Sequence, residues 1–173
     1  MKIIIGITGA AGTFLSKRAI ELLYGRHELS VIATESGKKM FQSECGQSLY
    51  DFLRKRPGVI KSDNSDLGSA YDIYKNADMM FLLPCSTAAI GKIAFSCADS
   101  LLGNLSAKMI AKRRLTAILT DPSPNAIDLE NLSKLSSLGV SVLFSGYICR
   151  AKSNECADII LKEIFSDLCI DHQ

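Results

Sequence analysis

Residues 1–12 read MKIIIGITGAAG, and this stretch decides the fold prediction. Positions 2–8 are almost entirely apolar and do not alternate with polar residues, which is typical of a strand buried on both faces. The glycines and alanines at 9–12 then predict a tight turn into a helix that begins near Thr13. Backbone N–H groups in such a turn can hold a phosphate; the alternative is a turn that binds no ligand.

A second segment of the same kind covers residues 79–87 and reads MMFLLPCST. A buried strand is predicted over 79–83, Pro84 ends it, and Ser86 is suited to cap the next helix. The carboxyl ends of parallel strands meet at one edge of a sheet, where ligands bind. Both segments place small or hydroxyl side chains at that edge, so we expect a binding site between them. Cys85 has no histidine near it in the sequence, and we interpret it as a buried thiol rather than a nucleophile.

Strands and helices alternate along the chain. Strands are predicted over residues 2–8, 29–34, 79–83, 115–119 and 140–144. Helices are predicted over 13–24, 36–44, 49–56, 71–76, 87–95, 101–112, 128–138 and 154–168, and residues 59–69 are predicted to be a surface loop. This alternation is typical of a parallel sheet with helices on both faces. We therefore expect one α/β domain over residues 1–173, flavodoxin-like or Rossmann-like and doubly wound.

Composition narrows the classes of partner and site. The chain has 173 residues, 47% of them hydrophobic, and a net charge of +2, so neither nucleic acid nor an anionic membrane is an expected partner. No stretch of the sequence reaches the roughly 18 apolar residues of a membrane span. The six cysteines form no Cys-x-x-Cys pair and the two histidines lie far from them, which argues against a metal site. We interpret the cysteines as reduced thiols of a cytoplasmic protein.

The glycines at positions 6, 9 and 12 differ in spacing from both common nucleotide fingerprints. A dinucleotide fold carries Gly-x-Gly-x-x-Gly and an acidic residue at the end of its second strand, where this chain has Thr34. A Walker loop ends in Gly-Lys followed by Ser or Thr, and that sequence is absent. The spacing therefore favours a phosphate or a flavin edge against the backbone over an adenosine ribose.

These motifs, in this order, resemble the FMN-binding flavoprotein family. The resemblance rests on GITGAAG at 6–12, Pro-Cys-Ser at 84–86, Ala-Asp-x-Leu-Leu at 98–102 and the helix at 128–139. The family holds flavin prenyltransferases, long described as aromatic acid decarboxylases, and the peptidyl-cysteine and phosphopantothenoylcysteine decarboxylases. The prenyltransferase branch is the more similar one and covers nearly the whole chain. It implies bound FMN, transfer of a prenyl group from dimethylallyl phosphate to reduced FMN, and a homo-oligomer, either a trimer or a dodecamer.

The resemblance also implies roles for individual residues. Glu44 falls where the prenyltransferases carry an acid near the prenyl phosphate, Tyr147 matches their active-site tyrosine, and Arg150 is expected to supply a cation for the phosphate. Asp99 is expected to have a structural or subunit-contact role. The positions expected to contact the cofactor are Gly9, Ala10, Ala11, Gly12, Thr34, Ser86, Thr87 and Asp121.

Departures from the prenyltransferase pattern keep three alternatives open. Ala11 and Ala89 stand in place of a serine and a threonine, Ala111 in place of a lysine, and Asp121 in place of an arginine. A phosphate site that exchanges an arginine for an acid loses a charge-assisted partner worth about 1.5–3 kcal/mol. The first alternative is a flavin carrier, storage or electron-transfer protein that has kept the pocket without the chemistry. The second is an assembly partner that no longer binds flavin. The third is a flavin-dependent cysteine decarboxylase, although the histidine and asparagine of that branch are missing.

Overall fold

Six segments of the chain, most of them apolar, form strands. The computed structural model describes residues 1–120, 123–144 and 154–170. Its strands are β1 (Lys2–Ile7), β2 (Glu28–Ala33), β3 (Ile60–Asp63), β4 (Met79–Cys85), β5 (Leu115–Leu119) and β6 (Ser141–Phe144). All neighbours are parallel, in the order β3-β2-β1-β4-β5-β6. β1 and β4 lie in the middle of the sheet, which suits their continuously buried apolar sequences.

Eight α-helices occur in the described part of the chain. They are α1 (Thr13–Leu23), α2 (Glu35–Cys45), α3 (Leu49–Arg54), α4 (Ala70–Asn76), α5 (Thr87–Ala94), α6 (Leu101–Ala111), α7 (Ala126–Ser137) and α8 (Asn154–Asp167). Hydroxyl or amide side chains cap α2, α3, α5, α6 and α7, so the local sequence sets where these helices begin. The doubly wound α/β fold is confirmed. None of the described helices combines the length and the apolar character that crossing a membrane requires.

The helices cover both faces of the sheet and enclose two apolar cores. One core packs α1, α2, α3 and α8 against side chains such as Ile5 and Phe81. The other packs α4, α5, α6 and α7 against the alternate side chains, including Ile4 and Leu82. Because α1 and α5 leave the neighbouring strands β1 and β4 toward opposite faces, a crevice opens between the carboxyl ends of these strands.

One strand, β3, was not predicted from the sequence. It lies within residues 59–69, where the prediction of a surface loop was wrong. β3 is an edge strand that pairs with β2, from Ser30 opposite Ile60 to Ala33 opposite Asp63. Its sequence, IKSD, is short and largely exposed. An edge strand is less covered than a central one and tolerates polar residues, so neither an apolar run nor alternation marks it in the sequence.

Arg18 on α1 and Asp158 on α8 form a two-point ion pair, with Nε 2.5 Å from Oδ1 and Nη2 2.9 Å from Oδ2. The hydrogen bonds from Arg18 lower the pKa of Asp158. A carboxyl group with a lowered pKa stabilises the fold above its unfolded pKa of about 4, and this contribution is lost as the pH falls through the folded pKa. We expect Asp158→Asn to lower the free energy of unfolding in urea by about 1 kcal/mol at neutral pH and by much less near pH 2. Equal losses at both pH values would contradict this role.

Candidate functional site

Thr8, the first residue after β1, joins the ends of the two central strands. Its hydroxyl donates to the carbonyl of Pro84 at 2.9 Å and accepts the N–H of Ser86 at 2.7 Å. Thr8 is buried, so both hydrogen bonds are shielded from water. They hold the end of β4 and the start of α5 against β1 and so form the floor of the crevice.

A cavity of about 320 Å³ occupies this crevice. It reaches across the carboxyl ends of β3, β2, β1 and β4, a width of about 14 Å at ordinary strand spacing. The strand side is formed by hydroxyl and backbone groups of Thr8, Gly9, Thr34, Ser36 and Ser86. The helix side carries the apolar side chains of Ala88, Ala89, Ile93 and Leu102. The cavity therefore combines a polar floor with an apolar wall, as small-molecule sites commonly do.

A larger cavity of about 420 Å³ lies on the other face of the sheet, between α2, α3 and the edge strand β3. Lys38, one of the lysines that line it, forms ion pairs with Glu35 at 2.6 Å and with Asp63 at 3.0 Å. None of the residues expected to contact a cofactor lines this cavity. We therefore assign the site to the smaller cavity, which lies at the point where the strand connections reverse direction.

Two of the expected residues, Thr34 and Ser86, follow β2 and β4 and cap the next helices. Oγ1 of Thr34 accepts the N–H of Gly37 at 3.0 Å, and Oγ of Ser86 accepts the N–H of Ala89 at 3.2 Å. Oγ1 of Thr34 also lies 3.0 Å from Oγ of Ser36. A hydroxyl that accepts a capping hydrogen bond keeps its own O–H as a donor. Capping and ligand binding are thus compatible at Ser86, and in the pair of Thr34 and Ser36, where one hydroxyl donates to the other, one O–H remains for a ligand.

The turn after β1 is hydrogen-bonded to the side chain of Glu44. The carboxylate of Glu44, near the end of α2, accepts the N–H of Gly12 at 3.0 Å. It also accepts the N–H and the hydroxyl of Thr13, at 2.7 and 2.6 Å. These amides are the first donors of α1, where the helix dipole favours a negative charge. Glu44 therefore already fills the helix terminus that the glycine spacing predicts as an anion site.

An ion pair between Lys92 on α5 and Asp99, which precedes α6, lies on the cavity wall. Nζ of Lys92 is 2.6 Å from Oδ2 of Asp99. This hydrogen bond lowers the pKa of Asp99 and raises the pKa of Lys92. Asp99, for which a structural or subunit-contact role is expected, thus carries a charge that Lys92 balances at the cavity.

The two cysteines near the cavity differ in burial. Cys85 is fully buried, and burial raises the pKa of its thiol to about 12, which confirms its interpretation as a buried thiol. Cys97 is exposed and lines the cavity. We expect iodoacetamide near pH 8 to alkylate Cys97 in the folded protein and Cys85 only after unfolding, because the thiolate is the reactive form. Peptide mass spectrometry with and without urea measures both, and alkylation of folded Cys85 would contradict the expectation.

The structure brings three of the expected residues, Gly9, Thr34 and Ser86, to the same cavity. Residues 10–12 continue the turn toward α1, and Thr87 is the first residue of α5 beside the cavity. Three further expected residues, Asp121, Tyr147 and Arg150, lie outside the described residues. No group of three side chains suited to hold a metal ion occurs among the residues that are described.

The cavity residues that were not expected from the sequence include Ser36, Asn64 and Lys92. Ser36 lies two positions after Thr34, in the first turn of α2, so extending the search from strand ends into the following helix would have found it. Asn64 follows the edge strand that the sequence did not mark. Lys92 occupies a helix position that no sequence signal distinguishes from an ordinary solvated lysine.

Comparison with known proteins finds relatives that agree with one another in family and in fold. The family model described as Flavoprotein matches residues 1–165. Flavin prenyltransferase UbiX of Saccharolobus solfataricus is 31% identical over 148 residues, which cover 82% of this chain and 73% of that protein. The dodecameric FMN-dependent UbiX-like decarboxylase of Escherichia coli O157:H7 shares the fold with a TM-score of 0.87 at 21% identity, covering 99% of this chain and 96% of that one. AnUbiX (PadA1), solved with FMN and dimethylallyl pyrophosphate, has a TM-score of 0.84 at 18% identity, covering 99% and 93% of the two chains.

Proposed function

The chain belongs to the Flavoprotein family, and from this premise we propose that it binds FMN and acts as a flavin prenyltransferase-like enzyme. The observation that carries the proposal is the cavity at the ends of β1 and β4. It joins hydroxyl and backbone groups to an apolar helix wall, which suits a flat ring system with a polar, phosphorylated tail. FMN, when bound there in its reduced form, would supply the ring that accepts the prenyl group.

The residues of this cavity fit such a cofactor. A Cβ added to Gly9 would lie 2.5 Å from Cβ of Ser36, so only glycine leaves the strand end and the first turn of α2 this close together. One of the hydroxyls of Thr34 and Ser36 donates to the other, and the second keeps an O–H suited to a phosphate oxygen. Ile93 and Leu102 provide apolar surface of the kind that a flavin ring needs.

We propose that three further residues act on the prenyl donor. Tyr147 and Arg150 would hold the phosphate of dimethylallyl phosphate, and Glu44 would assist the movement of a proton. Glu44 is half-buried at the start of α1, where its hydrogen bonds to Gly12 and Thr13 fix the position of its carboxylate. The other proposed cofactor contacts, besides Gly9, Thr34 and Ser86, are Ala10, Ala11, Gly12, Thr87 and Asp121.

The test is a reconstitution with reduced FMN and dimethylallyl phosphate under anaerobic conditions. We expect the purified protein to bind FMN, seen as flavin absorbance after gel filtration, and to form a flavin whose mass is greater by one prenyl group. Arg150→Ala serves as the matched variant, which we expect to keep FMN and to form less product. A protein that binds FMN and forms no prenylated flavin would contradict the transferase. A protein that does not bind added FMN would contradict the flavin site itself.

A second candidate function is that of a non-catalytic flavin carrier, storage or electron-transfer protein. Ala11, Ala89 and Asp121 favour it, because they remove polar or cationic groups of the prenyltransferase pattern while the cavity is kept. A bound flavin that is reduced and reoxidised repeatedly without forming product would support the carrier. The cysteine decarboxylase gains no support, since no histidine lines the cavity among the described residues.

We also propose that the protein is a single domain over residues 1–173 that assembles in the cytoplasm as a homo-oligomer, either a trimer or a dodecamer. Phe95, Ile127 and Ile159 each leave about two thirds of their surface exposed, and large exposed apolar side chains are suited to subunit contacts. Light scattering should therefore give a multiple of the 18.8 kDa chain mass. A monomer at micromolar concentration would contradict the assembly.

A further inference from the structure

Asn64 is the first residue after β3, and it lies on the cavity wall. Two hydrogen bonds from the start of α6 hold it in place. The N–H of Leu101 donates to the backbone carbonyl of Asn64 at 2.8 Å, and the N–H of Leu102 donates to its Oδ1 at 2.9 Å. Both donors are among the helix amides that lack a partner within the helix, so Asn64 supplies the acceptors that α6 needs.

These contacts decide the orientation of the side-chain amide. A backbone N–H can only donate, so the atom that faces Leu102 must be the carbonyl oxygen of Asn64 rather than its nitrogen. Nδ2 has no acceptor among the described residues. Since none of their buried side-chain nitrogen or oxygen atoms lacks a partner, Nδ2 is not fully buried, and Asn64 is one of the residues that line the cavity. It offers two N–H donors to a ligand.

The wall next to Asn64 also carries donors. β3 pairs with β2, and at the end of β2 the hydroxyls of Thr34 and Ser36 lie 3.0 Å apart. Hydroxyl and amide N–H groups are suited to an oxyanion, which only accepts hydrogen bonds. This end of the cavity therefore fits a phosphate better than it fits an uncharged ring.

Nearby carboxylates do not prevent an anion from binding at this end. Asp63, which precedes Asn64, accepts two hydrogen bonds from Ser65 and lies 3.0 Å from Nζ of Lys38. Asp99, the acid that lines the cavity in the described part of the chain, is paired with Lys92. Lys92 thus balances the charge of Asp99, whereas Asp63 shares Lys38 with Glu35 but lines the other cavity.

We infer that Nδ2 of Asn64 donates a hydrogen bond to the phosphate of the flavin nucleotide, at the end of the cavity formed by β2 and β3. The inference rests on FMN binding as proposed above. It places the phosphate away from the start of α1, where Glu44 already occupies the first amides. It also gives Asn64 a part in specificity, because riboflavin lacks the phosphate and cannot receive this hydrogen bond.

Asn64→Asp tests the contact, because a carboxylate keeps the acceptor for Leu102 and replaces the N–H donors with a negative oxygen. We expect this variant to bind FMN at least about tenfold more weakly and riboflavin within about twofold of the wild type, measured by quenching of flavin fluorescence. Asn64→Ser removes both amide N–H donors without adding charge and leaves a hydroxyl that ends one bond short of Nδ2, and we expect it to weaken FMN binding about three- to tenfold. It also keeps the test decisive if Asn64→Asp does not fold, since the hydroxyl retains an acceptor.

Asn104→Asp is the matched control, because it makes the same amide-to-carboxylate change on α6, the helix that Asn64 contacts, at a position outside the cavity lining. We expect it to leave both affinities within about twofold of the wild type. If FMN binding to either Asn64 variant matches the wild type, or if riboflavin binding falls as much as FMN binding, the assignment of Asn64 to the phosphate is wrong. If wild-type protein binds neither flavin, the proposed function fails and the inference fails with it.

Discussion

Gly37→Ala is expected to lower the free energy of unfolding by about 2–3 kcal/mol or more. Gly37 lies in the first turn of α2, directly over the end of β1. A Cβ at this position would stand well inside contact distance of the carbonyl oxygen of Ile7 and 3.0 Å from the carbonyl carbon. That carbonyl cannot turn away, because it accepts the N–H of Thr34 at 3.0 Å. The collision is therefore with fixed backbone, and α2 must move outward to relieve it.

The same movement should weaken cofactor binding, because Thr34 and Ser36 would leave the cavity wall together with the helix. Urea unfolding and FMN titration of the variant measure the two effects. Gly91→Ala is the matched control: it lies within α5, and its nearest neighbour is Nδ2 of Asn131 at 3.6 Å. Alanine there is expected to raise stability by up to about 1 kcal/mol through helix propensity. Equal stability of the two variants would show that Gly37 does not pack against the carbonyl of Ile7 as closely as described.

Most strands of the sheet could be predicted from the sequence, because burial of the central strands leaves a clear apolar pattern. β1 and β4 are covered on both faces, so each reads as an unbroken apolar run that ends at small or hydroxyl residues. β3 could not be predicted in the same way. It pairs on one side with β2 and has mostly exposed side chains, so nothing in residues 60–63 distinguishes this strand from a loop.

The site was predictable where it follows from strand ends and not where it depends on distant segments. Gly9, Thr34 and Ser86 meet at one cavity because the carboxyl ends of parallel strands share one edge of the sheet. The partner of Gly12 is Glu44, which is 32 residues away. The orientation of Asn64 likewise depends on the start of α6, 38 residues further on. Contacts of this kind join segments that are distant in the chain, for which a single sequence carries no periodic signal.

Glu44→Ala is expected to lower the free energy of unfolding of the flavin-free protein by about 2–3 kcal/mol. The carboxylate accepts the N–H of Gly12, the N–H of Thr13 and the hydroxyl of Thr13, all within 3.0 Å. Its removal leaves the start of α1 without its acceptor and without the negative charge that the helix dipole favours. Urea unfolding measures the loss. Glu35→Ala is the control on the same helix: Glu35 is exposed and pairs only with the side chain of Lys38 in the described structure, so we expect a loss below about 0.5 kcal/mol.

Glu44→Gln separates the two roles that the structure and the proposed function give to this residue. The glutamine side chain keeps one oxygen that can accept the Thr13 N–H, so about half of the lost stability or more should return. A glutamine cannot take up and release a proton at neutral pH, so prenyl transfer by this variant should stay low even though α1 is capped again. Product formation that recovers in parallel with stability would mean that Glu44 acts only by holding the glycine turn in place. Stability equal to the wild type in Glu44→Ala would contradict the capping role itself.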